Sequence, residues 1–164
     1  MKHLVGHTSN GVPVHVDLIG SQAAKRIAQQ PRLLALAKEM LEQITVQDAE
    51  IYIEHNMGRL IGYNFIVKTT DKDTILYARL LRDDIYTRFV RNGKPLSTHF
   101  LTARLKRDDN NSYELSDIWV GRINPPRPGS TDETSESKSY WSNHALILDN
   151  QPIQLQTVTK ECPY

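Results

Sequence analysis

Residues 86–122 read YTRFVRNGKPLSTHFLTARLKRDDNNSYELSDIWVGR, and two turn signals divide this stretch into three extended segments. The first signal is Asn92-Gly93, which is typical of a two-residue hairpin because a type I′ turn needs positive φ at both central positions. The second is the polar run from Asp108 to Asn111. The stretch therefore predicts a three-stranded antiparallel meander, and we interpret the rest of the chain around it.

The turn residues also predict which side chains share a face of the meander. With Asn92 and Gly93 in the loop, Tyr86 lies opposite His99, and Arg88 projects from the same face. The second turn, centred on Asp109 and Asn110, sets His99 opposite Val120, Leu101 opposite Ile118, Phe100 opposite Trp119 and Thr102 opposite Asp117. The sequence thus predicts a polar cluster of Tyr86, Arg88 and His99 beside apolar core residues.

The composition is that of an ordinary globular domain, with 39% hydrophobic and 24% charged residues among 164. This length predicts a single domain, residues 1–164, with its own hydrophobic core. The charge is nearly balanced, 20 Lys and Arg against 19 Asp and Glu, so nucleic-acid binding would need a local basic patch. The single cysteine, Cys162, excludes an intrachain disulfide and a cysteine-based metal cluster.

The sequence predicts a cytoplasmic protein without a membrane partner. No apolar run approaches the roughly 20 residues of a membrane span, and the first residues, MKHLVGHTS, lack the apolar core of a signal peptide. A single thiol also fits a reducing compartment.

The first 44 residues predict a hairpin followed by two helices. Asn10-Gly11 predicts a hairpin within residues 1–20, with Val5 opposite Val16 and His7 opposite Val14. The two helices are expected between residues 21 and 44. Ser21 is a suitable N-cap for the first, and Pro31 is well placed to begin the second, whose wide apolar stripe is suited to packing on a sheet.

The remainder of the chain predicts mostly strands. Residues 50–122 alternate as an antiparallel sheet would, residues 123–139 are rich in proline and polar residues and predict an exposed loop, and residues 140–158 predict C-terminal strands. The fold class that follows is α+β: a predominantly antiparallel meander, open or curled into a barrel, with two consecutive N-terminal helices packed on it.

Several classes of chemistry lack their sequence motifs. There is no P-loop, no dinucleotide-binding glycine loop, no HExxH, no CxxC pair and no EF-hand loop. The histidines near the N-terminus also lack a carboxylate partner at ligand spacing. We therefore predict no cofactor, no nucleotide and no metal site.

Basic and aromatic residues alternate between residues 79 and 107, as a single-stranded nucleic acid would require for its phosphates and bases. The alternative is an ordinary solvated face, since Lys and Arg also protect sheet edges and cover apolar surface. If RNA is the partner, the predicted contacts are Arg79, Arg91, Arg104, Lys106, His144 and Trp141.

The polar cluster suggests a catalytic hypothesis, a small toxin-like ribonuclease that needs no metal. His99 would be the general base, Arg88 would hold the phosphate, and Tyr86 would orient the ring or act as the acid. The order of elements is similar to that of small barnase-like ribonucleases, a likeness of architecture alone. The alternative is a structural histidine at the margin of the core. A Mg²⁺-dependent cleavage would instead point to Asp83, Asp84 or Asp117.

A different class of function is a non-catalytic interaction module, such as an inhibitor or adaptor with a protein partner. It would bind through the sheet face and the 123–139 loop, with the anchors Trp119, Tyr140, Trp141 and Tyr164. A third interpretation is a small barrel that encloses an apolar ligand. The sequence leaves these alternatives open.

Overall fold

The computed structural model describes residues 2–80, 85–108, 111–148 and 155–163. The fold is α+β, with short helices and mostly strands in this part of the chain. The helices are α1 Gln22–Gln29, α2 Leu33–Leu41 and α3 Ser137–Ser142. The strands are β1 Lys2–His7, β2 Pro13–Asp17, β3 Glu50–Asn56, β4 Gly62–Asn64, β5 Ile66–Lys68, β6 Ile75–Leu80, β7 Tyr86–Val90, β8 Leu96–Thr98, β9 Phe100–Arg107, β10 Tyr113–Val120, β11 His144–Ile147 and β12 Leu155–Thr159.

Internal contacts divide the chain into two compact units, and each unit is built from two separate stretches of sequence. The first unit comprises Met1–Gly62 and Ser97–Ile123, and the second comprises Tyr63–Leu96 and Asn124–Tyr164. Strands β4 and β8 form a separate two-stranded sheet.

The first unit is a five-stranded sheet in the order β1-β2-β10-β9-β3. Its inner face carries Leu101, Ala103, Leu105, Leu115 and Ile118, which are fully buried with apolar residues of α1 and α2. Alternate residues of the same strands consequently project from the other face, which we call the outer face. The pairs are antiparallel except that β2 runs parallel to β10.

The β9–β10 hairpin forms as predicted, but its register is shifted. Ala103 lies opposite Ile118 and Leu101 opposite Val120, two residues from the predicted pairs. A bulge at Ser116 lies between two registers, Leu115 with Leu105 and Asp117 with Arg104. Because the shift is two residues, Leu101, Ile118 and Val120 still share the inner face. The predicted turn centre, Asp109 and Asn110, lies outside the described residues.

The first hairpin also forms with a register that differs from the prediction. Gly11 has φ 83° and its N–H donates to the carbonyl of Thr8, while the N–H of Thr8 donates to the carbonyl of Val12. The loop therefore contains three residues with a left-handed glycine at its end, not the two of a type I′ turn. As a result His3 lies opposite Val16 and His7 opposite Pro13, with a bulge between Leu4 and Gly6.

The second unit is another five-stranded sheet, in the order β12-β6-β7-β11-β5, and β7 runs parallel to β11. Two small apolar clusters lie on its faces. One contains Val67, Val90, Ala145 and Ile147, and the other contains Leu76, Ala78 and Phe89. Both five-stranded sheets are thus open, and each contains one parallel pair among antiparallel ones. The predicted single antiparallel meander is corrected to two mixed sheets, and neither closes into a barrel in the described part of the chain.

The predicted hairpin around Asn92-Gly93 does not form. Strand β7 pairs with β6 and β11, and β8 pairs with β4, so Tyr86 is opposite Arg79 and not opposite His99. Asn92 has φ 57°, but Gly93 does not have positive φ, and a type I′ turn requires it at both positions. The single meander predicted over residues 86–122 is therefore wrong, because its first strand belongs to another sheet.

The first helix begins at the predicted N-cap, where Ser21 Oγ accepts from the N–H of Ala24 at 3.0 Å. The second begins two residues after Pro31, and both helices lie between residues 21 and 44. No helix in the described ranges is both long enough and apolar enough to cross a membrane.

Hydrogen bonds join the start of the segment 123–139 to the residues just after its end, and the segment is exposed only in part. The indole N–H of Trp141 donates to the carbonyl of Pro125 at 2.9 Å, and the hydroxyl of Tyr140 donates to Asn124 Oδ1 at 2.6 Å. Pro128 is buried, whereas residues 131–136 are exposed. Tyr140 and Trp141 belong to α3, so the predicted strand over this stretch begins only at His144.

Candidate functional site

The outer face of the first unit carries a group of aromatic and charged side chains that contact one another. Register and alternation place on it Glu50, Tyr52 and Glu54 from β3, Phe100, Arg104 and Lys106 from β9, and Glu114, Asp117 and Trp119 from β10. Arg26 of α1 and Arg122, just after β10, reach the same group. We call these residues the ring–arginine surface.

Each aromatic ring of this surface lies against a guanidinium group. Arg104 is 5.4 Å from the ring centre of Tyr52, Arg26 is 5.5 Å from that of Trp119, and Arg122 is 4.4 Å from that of Phe100. The rings of Tyr52 and Trp119 are themselves 6.4 Å apart and tilted by 59°. Cation–π contacts and ring pairs of this geometry each contribute about 0.5–1.5 kcal/mol.

The same arginines also donate to carboxylates. Arg104 Nε donates to Glu50 Oε1 at 2.8 Å, Arg26 Nε to Asp117 Oδ1 at 2.7 Å, and Arg122 Nε to Glu54 Oε1 at 2.7 Å. The other oxygen of Glu54 accepts from the N–H of Ile123 at 2.8 Å. Each guanidinium is therefore held between a ring and a carboxylate, which fixes its orientation.

These ion pairs leave the ring–arginine surface with no net charge. Its cations are Arg26, Arg104, Arg122 and Lys106, and its carboxylates are Glu50, Glu54, Glu114 and Asp117. Lys106 lies between Glu50 and Glu114 in the strand register. The hydrogen bond from Arg104 lowers the pKa of the Glu50 carboxyl, and the same bond raises the pKa of the Arg104 guanidinium. The surface consequently lacks an excess of positive charge.

Three of the residues predicted for catalysis or RNA contact belong to the first unit. His99 is exposed between β8 and β9, and its carbonyl accepts from the N–H of Met57 at 2.8 Å. Arg104 and Lys106 lie on the outer face, the first ion-paired and the second half-buried. The predicted apolar surroundings of His99 are wrong, because it precedes β9 and does not enter the sheet.

The other predicted residues belong to the second unit. Arg88 is only 8% exposed and donates from Nη1 to Thr69 Oγ1 at 2.7 Å and to the carbonyl of His144 at 3.1 Å. Tyr86, two residues along β7, lies 5.8 Å from the guanidinium of Arg79 on the neighbouring strand. Arg88 and Tyr86 thus share a face, as predicted, but His99 is part of a different unit.

The last three predicted contacts have different environments. The ring of His144 stacks on Tyr140 with centres 3.8 Å apart, and its Nδ1 is within hydrogen-bond distance of the carbonyl of Tyr140. Burial raises the pKa of the Tyr140 hydroxyl. Trp141 is buried, whereas Arg91 is exposed. The predicted residues are thus divided between the two units, three in the first and six in the second.

No group of three metal-binding side chains converges anywhere in the described ranges. Of the carboxylates considered for Mg²⁺, Asp117 is bonded to Arg26, and Asp83 and Asp84 lie outside the described residues. Tyr164, one of the predicted anchors, also lies outside them.

Sequence reasoning did not single out Arg26, Tyr52 and Arg122, nor the carboxylates Glu50, Glu54 and Glu114, as members of a site. The alternation of β3 was visible in the sequence, and it separates Tyr52 from Ile51 and Ile53. What it does not reveal is that β3 pairs with β9, some fifty residues later. Only that pairing brings Tyr52 beside Arg104.

Comparison with known protein families identified no matching family model. Comparisons with curated proteins and with solved structures likewise identified no match.

Proposed function

We propose that this chain is a non-catalytic protein-binding module and that the ring–arginine surface is its binding site. The observation that carries the proposal is the combination of one exposed ring, Tyr52, with two half-buried rings and three arginines on a face with no net charge. Tyrosine, tryptophan and arginine are the residue types that dominate binding energy at protein interfaces.

The geometry of the surface favours tight contact with a partner. Tyr52 is 49% exposed, so its ring still has a large area to bury. Its neighbours Arg104 and Trp119 are already held by an ion pair and a ring contact, which reduces the conformational entropy that binding would cost. An exposed tyrosine beside such a preorganised group is suited to be an anchor.

The charge balance indicates the chemistry of the partner. Strong binding to phosphates requires cations that can replace counterions, and here each arginine already donates to a carboxylate. A strongly charged partner would have to break these pairs. We therefore infer a protein partner whose docking surface is itself uncharged, with apolar side chains for the rings and carbonyl or hydroxyl oxygens for the remaining guanidinium N–H groups.

Site-specific photo-cross-linking tests the proposal. A benzophenone amino acid is placed at Tyr52, at Trp119 or, as a control, at Leu60, which is 62% exposed in the same unit but is not part of the surface. We expect positions 52 and 119 to capture the same protein and position 60 to capture none of it. The affinity for that purified protein should fall at least about tenfold in Trp119→Ala and stay unchanged in Leu60→Ala. Identical capture from all three positions, or none, would refute the proposed surface.

Binding of single-stranded RNA is the second candidate. The observation in its favour is that Tyr52, Phe100 and Trp119 lie on three neighbouring strands, where successive bases could stack on them. Titration of the same variants with a short single-stranded RNA distinguishes the two. Because the arginines are paired, RNA bound by stacking would show a shallow dependence on salt, whereas the protein-binding proposal predicts no saturable RNA binding.

A further inference from the structure

The second exposed feature of the first unit is the free edge of its sheet at β3. Strand β3 ends the strand order and runs for seven residues against β9 without a register shift. The opposite edge, β1, contains a bulge between Leu4 and Gly6 and carries Lys2, which are features that protect sheet edges from pairing. Strand β3 contains neither lysine nor proline nor a bulge.

The hydrogen-bond pattern shows which backbone groups of β3 face outward. The N–H of Arg107 donates to the carbonyl of Ala49, and the N–H of Met57 donates to that of His99. Odd-numbered residues between them therefore bond to β9. The N–H and C=O groups of Glu50, Tyr52, Glu54 and Asn56 point away from β9, and no partner for them is found in the described part of the chain.

We propose that β3 pairs with β3 of a second copy of this chain, so that two five-stranded sheets join edge to edge. The even-numbered residues, whose backbone groups point outward, must pair with even-numbered residues of the other copy. The possible registers of the two strands therefore differ by steps of two residues. The longest antiparallel register is centred on Ile53 and uses all seven residues. It places Glu50 opposite Asn56 and Tyr52 opposite Glu54, with Ile53 opposite its own copy.

Charge selects the same register. A register centred on Tyr52 would place Glu50 of each copy opposite Glu54 of the other. A register centred on Glu54 would place the two Glu54 carboxylates opposite each other. Like charges directly opposite one another are destabilising. The register centred on Ile53 has no like-charge pair. It also forms a closed twofold dimer with the two ring–arginine surfaces side by side on one face.

Charge substitutions at Asn56 test both the dimer and its register. Asn56 is exposed, and its side-chain oxygen accepts from the N–H of Gly58 at 2.9 Å, so a thermal melt verifies that both variants keep the fold. Since Asn56 faces Glu50 of the other copy twice, Asn56→Lys should strengthen the dimer and Asn56→Glu should weaken it, each by about two- to tenfold in Kd. The matched controls are Gln29→Lys and Gln29→Glu at an exposed position of α1, which should leave Kd unchanged.

Sedimentation velocity over a range of protein concentrations measures these constants on the full chain. Tyr52→Pro removes an outward N–H without removing a bond to β9, so it should yield a folded monomer with unchanged far-UV circular dichroism. Three outcomes would overturn the proposal. The wild-type protein could stay monomeric to about 1 mM, the two Asn56 variants could change the dimer Kd in the same direction, or the dimer could persist in Tyr52→Pro. A monomer that still binds a partner through position 52 would overturn the dimer alone, and the proposed function would stand.

Discussion

Arg88 and Arg104 show at the scale of single residues how much the environment decides. Both were predicted to contact RNA or its phosphate. Arg104 is half-buried on the outer face and bonded to Glu50, while Arg88 is buried and donates to a hydroxyl and a carbonyl. Neither guanidinium projects freely into solvent. An arginine in the sequence therefore indicates a positive charge, but its partners decide whether that charge is available to a ligand.

Gly93 provides a prediction about packing. A Cβ atom at this position would lie 2.9 Å from Ile147 Cγ1 and 3.1 Å from Val90 Cγ1, so there is no room for a side chain. We expect Gly93→Val to lower the free energy of unfolding by about 1–3 kcal/mol through overpacking. Denaturant unfolding of Gly93→Ala, Ile147→Ala and the double variant checks the cause, because Ile147→Ala removes the crowding Cγ1 atom. A smaller cost of Gly93→Ala in the Ile147→Ala background supports steric crowding, whereas an equal cost in both backgrounds would contradict it.

His99 provides a prediction about catalysis. The protein-binding proposal expects the purified chain to cleave no RNA, with or without Mg²⁺, and expects His99→Gln to change nothing. The ribonuclease hypothesis expects the opposite: cleavage that survives EDTA and falls by about 10²–10⁴-fold in His99→Gln, as for loss of a general base. Because His99 is exposed, this substitution should leave the fold intact, which a thermal melt verifies. EDTA-resistant cleavage that His99→Gln removes would restore the enzyme hypothesis.

At the scale of elements, strand β9 organises the first unit. It is the strand between β3 and β10, and its alternate residues supply both the buried Leu101, Ala103 and Leu105 and the outer Arg104. The bulge at Ser116 adds one residue to β10 and so allows Leu115 and Ile118 to share the inner face while Asp117 and Trp119 share the outer one. If Ser116 were instead part of a regular strand without the bulge, Trp119 would project toward the helices and away from Tyr52.

The Arg104–Glu50 pair across β3 and β9 predicts a pH dependence. Its hydrogen bond lowers the pKa of Glu50 in the folded state, so the stabilisation is present above the ordinary pKa of a glutamate and is lost as the pH falls through the lowered value. Thermal melts should show Glu50→Gln less stable than wild type near neutral pH, and the difference should disappear as the pH falls through the lowered pKa of Glu50. Arg104→Gln and the double variant complete the cycle. Parallel curves at all pH values would show that the pair contributes nothing.

At the scale of the whole molecule, the chain passes between its two units three times, after Gly62, Leu96 and Ile123, so neighbours in sequence are separated and distant stretches are joined. Strand β7 and strand β9 are ten residues apart, yet they belong to different sheets. Strand β3 pairs with β9, and β5 pairs with β11, each across a long stretch of intervening chain. This arrangement explains why a local turn signal misled the interpretation of residues 86–122.

The sequence by itself determined the α+β class, the N-cap at Ser21 and the β9–β10 hairpin, including which residues of that hairpin are apolar and which are polar. These features depend on local backbone preferences and on the two-residue period of a strand. Only the tertiary structure decided which strands pair, and with them the whole of the ring–arginine surface. Pairing over long separations depends on which buried faces fit together, and many partners satisfy the same alternation. The charge of a site follows from the same choice, since Arg104 is a cation in the sequence but half of a neutral pair once β3 lies beside β9.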